Sequence, residues 1–183
     1  NLDGVGQIVR HNLIEDTLQS AIYFHGNDHV IEYNKFNRCL TYGDDMGVIY
    51  YGRNPSELGT TVRYNWFQDC GRGHTSNTRV IYADDGACNL AVHGNLFVNS
   101  GTAETFLLGG GSYHQIHDNV FVGCATAVRI GNRLQTWAKE MLDKGGIVET
   151  RLAAIRSRAF DEHYPFFVGF LGKNPALPQH NNF

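Results

Sequence analysis

Two pairs of adjacent carboxylates stand out in the chain, Asp44–Asp45 and Asp84–Asp85. Such pairs suit glycosidic cleavage, in which one carboxylic acid protonates the leaving oxygen and a second carboxylate acts as nucleophile or general base. Neighbouring acids push their pKa values apart, which keeps one of them protonated. Asp84 with Asp45, or with Asp44, is the leading pair, and Asp85 is its electrostatic neighbour. Arg53 is placed to pair with Asp85 or to hold a substrate carboxylate. His74 is placed to modulate either pair. The competing reading of each Asp-Asp step is an Asx turn at a strand end. Calcium is another claimant for these hard oxygen ligands.

The elements that must position these groups come from a repeat. A pattern of aliphatic, polar, any, Asn, any, Phe or Ile occurs at 9–14, 31–36, 62–67, 92–97 and 116–121. Its asparagines are Asn12, Asn34, Asn65, Asn95 and Asn119. A second alternating pattern lies between the copies, at 21–27, 48–54, 80–86, 105–111 and 127–133. Period-2 alternation is the mark of strands with one buried face. No amphipathic helix separates these strands, so βαβ units are excluded. Short strands in units of 22 to 31 residues predict an all-β chain, a parallel β-helix of about five rungs.

Position-matched residues then stack in columns about 4.8 Å apart. Ile22, Ile49, Ile81, Phe106 and Val128 form one inward column. Phe24, Tyr51, Ala83, Leu108 and Ile130 form another, and Ile14, Phe36, Phe67, Phe97 and Phe121 a third. The asparagines satisfy backbone groups left unpaired at a bend. Thr17, Cys39, Cys70, Ser100 and Cys124 make a column of small residues at a turn, which reads the cysteines as packed thiols. Cys88 falls outside it and is expected at the surface.

Outward positions include Tyr23, Tyr50 and Tyr82, a strip suited to stacking sugar rings or to cross-strand packing. His25, Gly52, Asp84 and Gly109 follow, and the small residues beside Asp84 predict an open pocket. Arg10, Glu32, Arg63, His93 and His117 form a further outward column. Glu32 reads there as part of a surface ion ladder, and the two histidines lack a third ligand, so no metal is assigned. Longer rungs place extra Gly-rich loops at 40–47, 53–59 and 71–78, which would wall one cleft.

The Asn ladder over about residues 5–133 resembles the right-handed parallel β-helix family of pectate lyases, pectinases and related polysaccharide enzymes. The stretches GDDMGVIYYGRN (43–54) and VIYADDGA (80–87) are similar to those of a poorly characterised group of these proteins. The resemblance implies a glycan substrate and an extracellular or periplasmic location. A glycoside hydrolase using Asp84, Asp45, Asp44 and Asp85 is the first reading, with Tyr23, His25, Tyr50, Arg53, His74 and Tyr82 binding substrate. The rival is a polysaccharide lyase. There Arg53, Arg72 and Arg79 would neutralise a uronate, and His25, His74 or Tyr50 would take the proton. A non-catalytic glycan-binding β-helix is the third.

Composition narrows the field further. Hydrophobic residues make up 42% and charged residues 18% of 183, and the net charge is −3. There is no basic block for nucleic acid and no apolar run of membrane-spanning length. After residue 133 the pattern changes. Leu134, Trp137, Ala138, Met141 and Leu142 predict a helix over 134–145, with Trp137 as its anchor to the coil. A second helical segment is expected within 147–159, so that 134–178 forms an excursion packed on the coil. His180–Asn181–Asn182–Phe183 reads as the ladder motif of a further rung over 179–183. The expected coil has uncovered ends, which suggests a fragment or a partner chain completing the stack.

Overall fold

The computed structural model describes all 183 residues. Its strands fall into five rungs of three. The first rung holds β1 (Ile8–Arg10), β2 (Leu13–Glu15) and β3 (Ile22–Tyr23). The second holds β4 (Val30–Glu32), β5 (Lys35–Asn37) and β6 (Met46–Gly52), and the third β7 (Thr61–Arg63), β8 (Trp66–Gln68) and β9 (Thr78–Asp84). The fourth holds β10 (Ala91–His93), β11 (Leu96–Val98) and β12 (Phe106–Leu108), and the fifth β13 (Gln115–His117), β14 (Val120–Val122) and β15 (Val128–Ile130). Equivalent strands pair in parallel and in register, which gives three five-stranded sheets. This is the parallel solenoid that the repeat predicts.

Three bends make the coil close, and each turns on a left-handed residue. Before the ladder asparagines these are His11, Tyr33, Tyr64, Gly94 and Asp118, with φ between 54° and 66°. Left-handed backbone costs a non-glycine residue about 1–2 kcal/mol, and the Asn ladder offsets it. Asn12, Asn34, Asn65 and Asn95 each donate their backbone N–H to the amide oxygen one rung on, at 3.0, 2.9, 2.9 and 3.1 Å. The Nδ2 groups of Asn34, Asn65, Asn95 and Asn119 donate to carbonyls of the rung before.

The inward columns form the core. Phe36, Phe67, Phe97 and Phe121 stack with ring centroids 4.6, 4.8 and 5.2 Å apart. Ile130 departs from its expected place and is exposed on the open side of the fifth rung. All four cysteines are free thiols. Cys39 and Cys70 bond to backbone carbonyls in the turn column. Cys88 is buried rather than exposed, because the excursion after the coil packs over it with Leu58, Val148 and Phe167.

The excursion holds α1 (Ile147–Ile155), α2 (Arg158–His163) and four short 3-10 turns. The helix predicted over 134–145 is two 3-10 turns, Arg133–Gln135 and Lys139–Leu142, because Thr136 leaves helical geometry. Leu134 and Ala138 anchor this segment, and Trp137 does not, being 63% exposed. Residues 179–182 return to the coil, where Asn182 pairs with Gln115 of β13. Asn181 therefore aligns with His114, whose N–H it accepts at 2.8 Å, and not with the ladder residue Asn119. Local similarity to the motif misplaced the register by part of a rung.

Candidate functional site

The third sheet carries β6 and β9, its two longest strands, each seven residues. Their outward residues, together with Arg133 from the excursion, form one charged network. Arg133 Nη1 donates to Asp84 Oδ1 at 2.5 Å, to Asp85 Oδ1 at 3.0 Å and to the Tyr82 hydroxyl at 2.8 Å. Tyr50 donates its hydroxyl proton to Asp84 Oδ2 at 2.7 Å. Arg53 Nε donates to Asp85 Oδ2 at 3.1 Å, the pairing expected from the sequence. Tyr82 donates to Asp45 Oδ1 at 3.2 Å, and Arg79 donates to the same oxygen at 3.2 Å. Arg79 is itself buried against Glu104 at 2.8 Å.

The expected open pocket around Asp84 is absent. Asp84 and Asp85 are 2% and 1% exposed. The glycines beside them bring rungs closer instead of leaving space. A Cβ at Gly52 would meet the Cβ of Asp84 at 2.6 Å, and one at Gly109 would meet the Asp85 nitrogen at 2.6 Å. The tyrosine strip is likewise closed at one end. Tyr82 is 1% exposed, with Arg79 and Arg133 on its ring at 4.8 and 5.4 Å. Tyr23 and Tyr50 stack at 5.5 Å and stay half-buried.

Desolvation, with the adjacent Asp84 charge, raises the carboxyl pKa of Asp85. Burial and the bond to Asp84 drive the Tyr50 phenol well above its ordinary range. Burial works against the Arg133 cation, but its bonds to Tyr82 and Asp85 and the charge of Asp84 outweigh that and raise its pKa. The network therefore holds two carboxyl groups out of water beneath a guanidinium that is itself only partly exposed, each stabilised by the others.

The other expected residues lie around this centre. Asp44 is exposed and accepts from Thr75 at 2.9 Å. His74 stacks on Tyr42 at 4.4 Å and makes no hydrogen bond or ion pair with the four carboxylates. Arg72 bonds the Asn99 side chain at 2.7 Å. His25 meets Glu57 at 2.8 Å, and Glu57 is buried with its second oxygen unpartnered. Glu32 pairs with Arg63 at 2.8 Å. His93 and His117 stack at 5.0 Å. No group of three or more His, Cys, Asp or Glu side chains is arranged to hold a metal.

Arg133, Glu57 and Glu104 were missed by sequence reasoning. Arg133 ends the last copy of the second pattern, just where the repeat stops, and that break was the available signal. Glu57 and Glu104 carry none.

Two cavities flank this network. Arg53, Asp85, Trp137, Met141 and Ile147 line one of about 250 Å³. Arg79, Arg129, Asn132, Arg133, Thr136 and Trp137 line another of about 320 Å³. The class defined by fold and site is a parallel β-solenoid with a charged cleft on its third sheet. No family model, curated protein or solved structure matches the chain.

Proposed function

We propose that the chain is a glycan-active enzyme, a glycoside hydrolase working through Asp45 and Asp84 on an exported, right-handed coil. The handedness follows the strong preference of parallel crossover connections. Export and the glycan substrate rest on the family resemblance of the ladder and the two Asp-containing stretches. The observation that carries the chemistry is the series Asp45–Tyr82–Arg133–Asp84. Its three contacts, at 3.2, 2.8 and 2.5 Å, link an exposed carboxylate on the loop to a buried one on the strand. In series they cap the carboxylate separation below the upper end of the roughly 6.5–9.5 Å range used by inverting enzymes.

Arg133 comes from the irregular excursion and not from a sheet. A swing of the Arg133 side chain into the cavity it lines would free Asp84 toward the bond to be cut, while Tyr50 and Arg53 hold its orientation. Asp85, which accepts from both Arg53 and Arg133, is its electrostatic neighbour. A β-elimination is the second reading, favoured by His25 oriented on buried Glu57 as a base. A glycan panel read by mass with ultraviolet detection separates the two, because elimination leaves an absorbing double bond. Asp84→Asn and Asp45→Asn are each expected to lower turnover by at least about a thousandfold while binding is kept. Full activity in Asp84→Asn would overturn the proposal.

A further inference from the structure

Trp137 is the large apolar side chain that the charged cleft leaves uncovered, 63% exposed while Leu134 and Ala138 beside it are buried. The turn therefore anchors itself without the indole. Trp137 lines both cavities, and its ring lies 5.8 Å from the Arg133 guanidinium, which also faces Tyr82 at 5.4 Å. One guanidinium thus couples the exposed indole to the buried carboxylates. Beside the indole, the cavity of about 320 Å³ presents Arg129, Asn132 and Thr136. Arg79 and Arg133 there are matched by Asp45, Glu104, Asp84 and Asp85. Arg129 has no carboxylate within ion-pairing distance and keeps its donors for a ligand. A flat apolar face rimmed by hydrogen-bond donors is the chemistry that fits a pyranose ring, with one C–H face and a belt of hydroxyls.

We infer that Trp137 is the stacking platform of a sugar subsite beside the carboxylates, with Arg129 and Asn132 bonding the ring hydroxyls. This rests on the glycan reading above and adds its binding geometry. It also moves the aromatic platform from the Tyr23–Tyr50–Tyr82 strip to the excursion.

The chain has two tryptophans, so emission assigns the site. Trp66→Phe leaves Trp137 as the sole indole, and Trp137→Phe leaves Trp66, which sits under Lys35 at 4.3 Å on the second sheet. Both variants and the wild type would be titrated with cellohexaose, xylohexaose, mannohexaose and hexagalacturonate. Calorimetry on the wild type and Trp137→Ala gives affinity without relying on emission. The expected result is a ligand-dependent emission shift in Trp66→Phe, none in Trp137→Phe, and at least tenfold weaker binding in Trp137→Ala. A sugar that binds the wild type and Trp137→Ala equally, with Trp137 emission unmoved, overturns the platform and leaves the glycan reading standing. A wild-type chain that binds none of the four overturns the glycan reading, and the platform with it. Circular dichroism of Trp137→Ala is expected to match the wild type, since Leu134 and Ala138 carry the anchoring.

Discussion

Asn65 and Asp84 are both 2% exposed, yet they reach burial in different ways. Asn65 accepts from Asn34 and donates to Ile31, Arg63 and Asn95, partners supplied by its own repeat. Every rung offers the next one the same bonds. Asp84 depends on Arg133, 49 residues away, and on Tyr50 one rung before. The bend buries neutral amides, whose hydrogen bonds repeat at each level. The third sheet buries charge, which no repeat can neutralise rung by rung because like charges would stack. Stability in the first region is distributed, whereas in the second it rests on two guanidiniums, Arg53 and above all the less exposed Arg133.

Removing the Arg133 guanidinium tests the contrast most severely. Arg133→Met is expected to cost about 3–5 kcal/mol in urea unfolding, because breaking a buried ion pair strands the remaining charge. Adding Asp84→Asn should restore part of the loss. If Arg133→Met unfolds at the wild-type midpoint, the network is not a buried dependency.

The next effect probes the bend that enters the first sheet. Burial holds His114 neutral down to about 4, against 6.5 for an ordinary imidazole. Between those values the unfolded chain takes up a proton and the folded chain does not. Stability is therefore full above pH 6.5 and falls by about 3 kcal/mol as the pH drops to 4. His114→Asn keeps an acceptor for the Leu90 N–H and should flatten that slope in urea melts across this range.

Asn65→Ala is expected to cost about 2 kcal/mol by chemical denaturation, since the orphaned backbone groups are shared among neighbouring rungs. A cost matching that of Arg133→Met would erase the distinction between distributed and concentrated support. At the small end, Arg38→Ala removes an exposed surface pair with Asp16, and the unfolding midpoint should not move.

The repeat made the coil legible because its structure is local and periodic. Asn34 to Asn119, Phe36 to Phe121 and the free thiols of Cys39 and Cys70 follow from position in the motif. The site was legible in part. Asp45, Asp84, Asp85, Tyr50, Tyr82 and Arg53 do meet in one network, and the Arg53–Asp85 pair follows from their adjacent rungs. The openness assigned to Asp84 failed because a glycine can admit a neighbouring rung as readily as a ligand. Trp137 and Arg133 exchanged expected importance, since helical spacing said nothing about the break at Thr136.

The sequence by itself determined the parallel rungs, their register and the inward columns, because alternation and an asparagine at a fixed offset constrain each rung against the next. Only the tertiary structure decided what covers the third sheet. The excursion obeys no repeat, so its path over β9, and with it the burial of Asp84, Asp85, Tyr82 and Cys88, depends on non-local packing of Leu134, Val148 and Phe167. That same path leaves Trp137 in solvent at the edge of the carboxylate network.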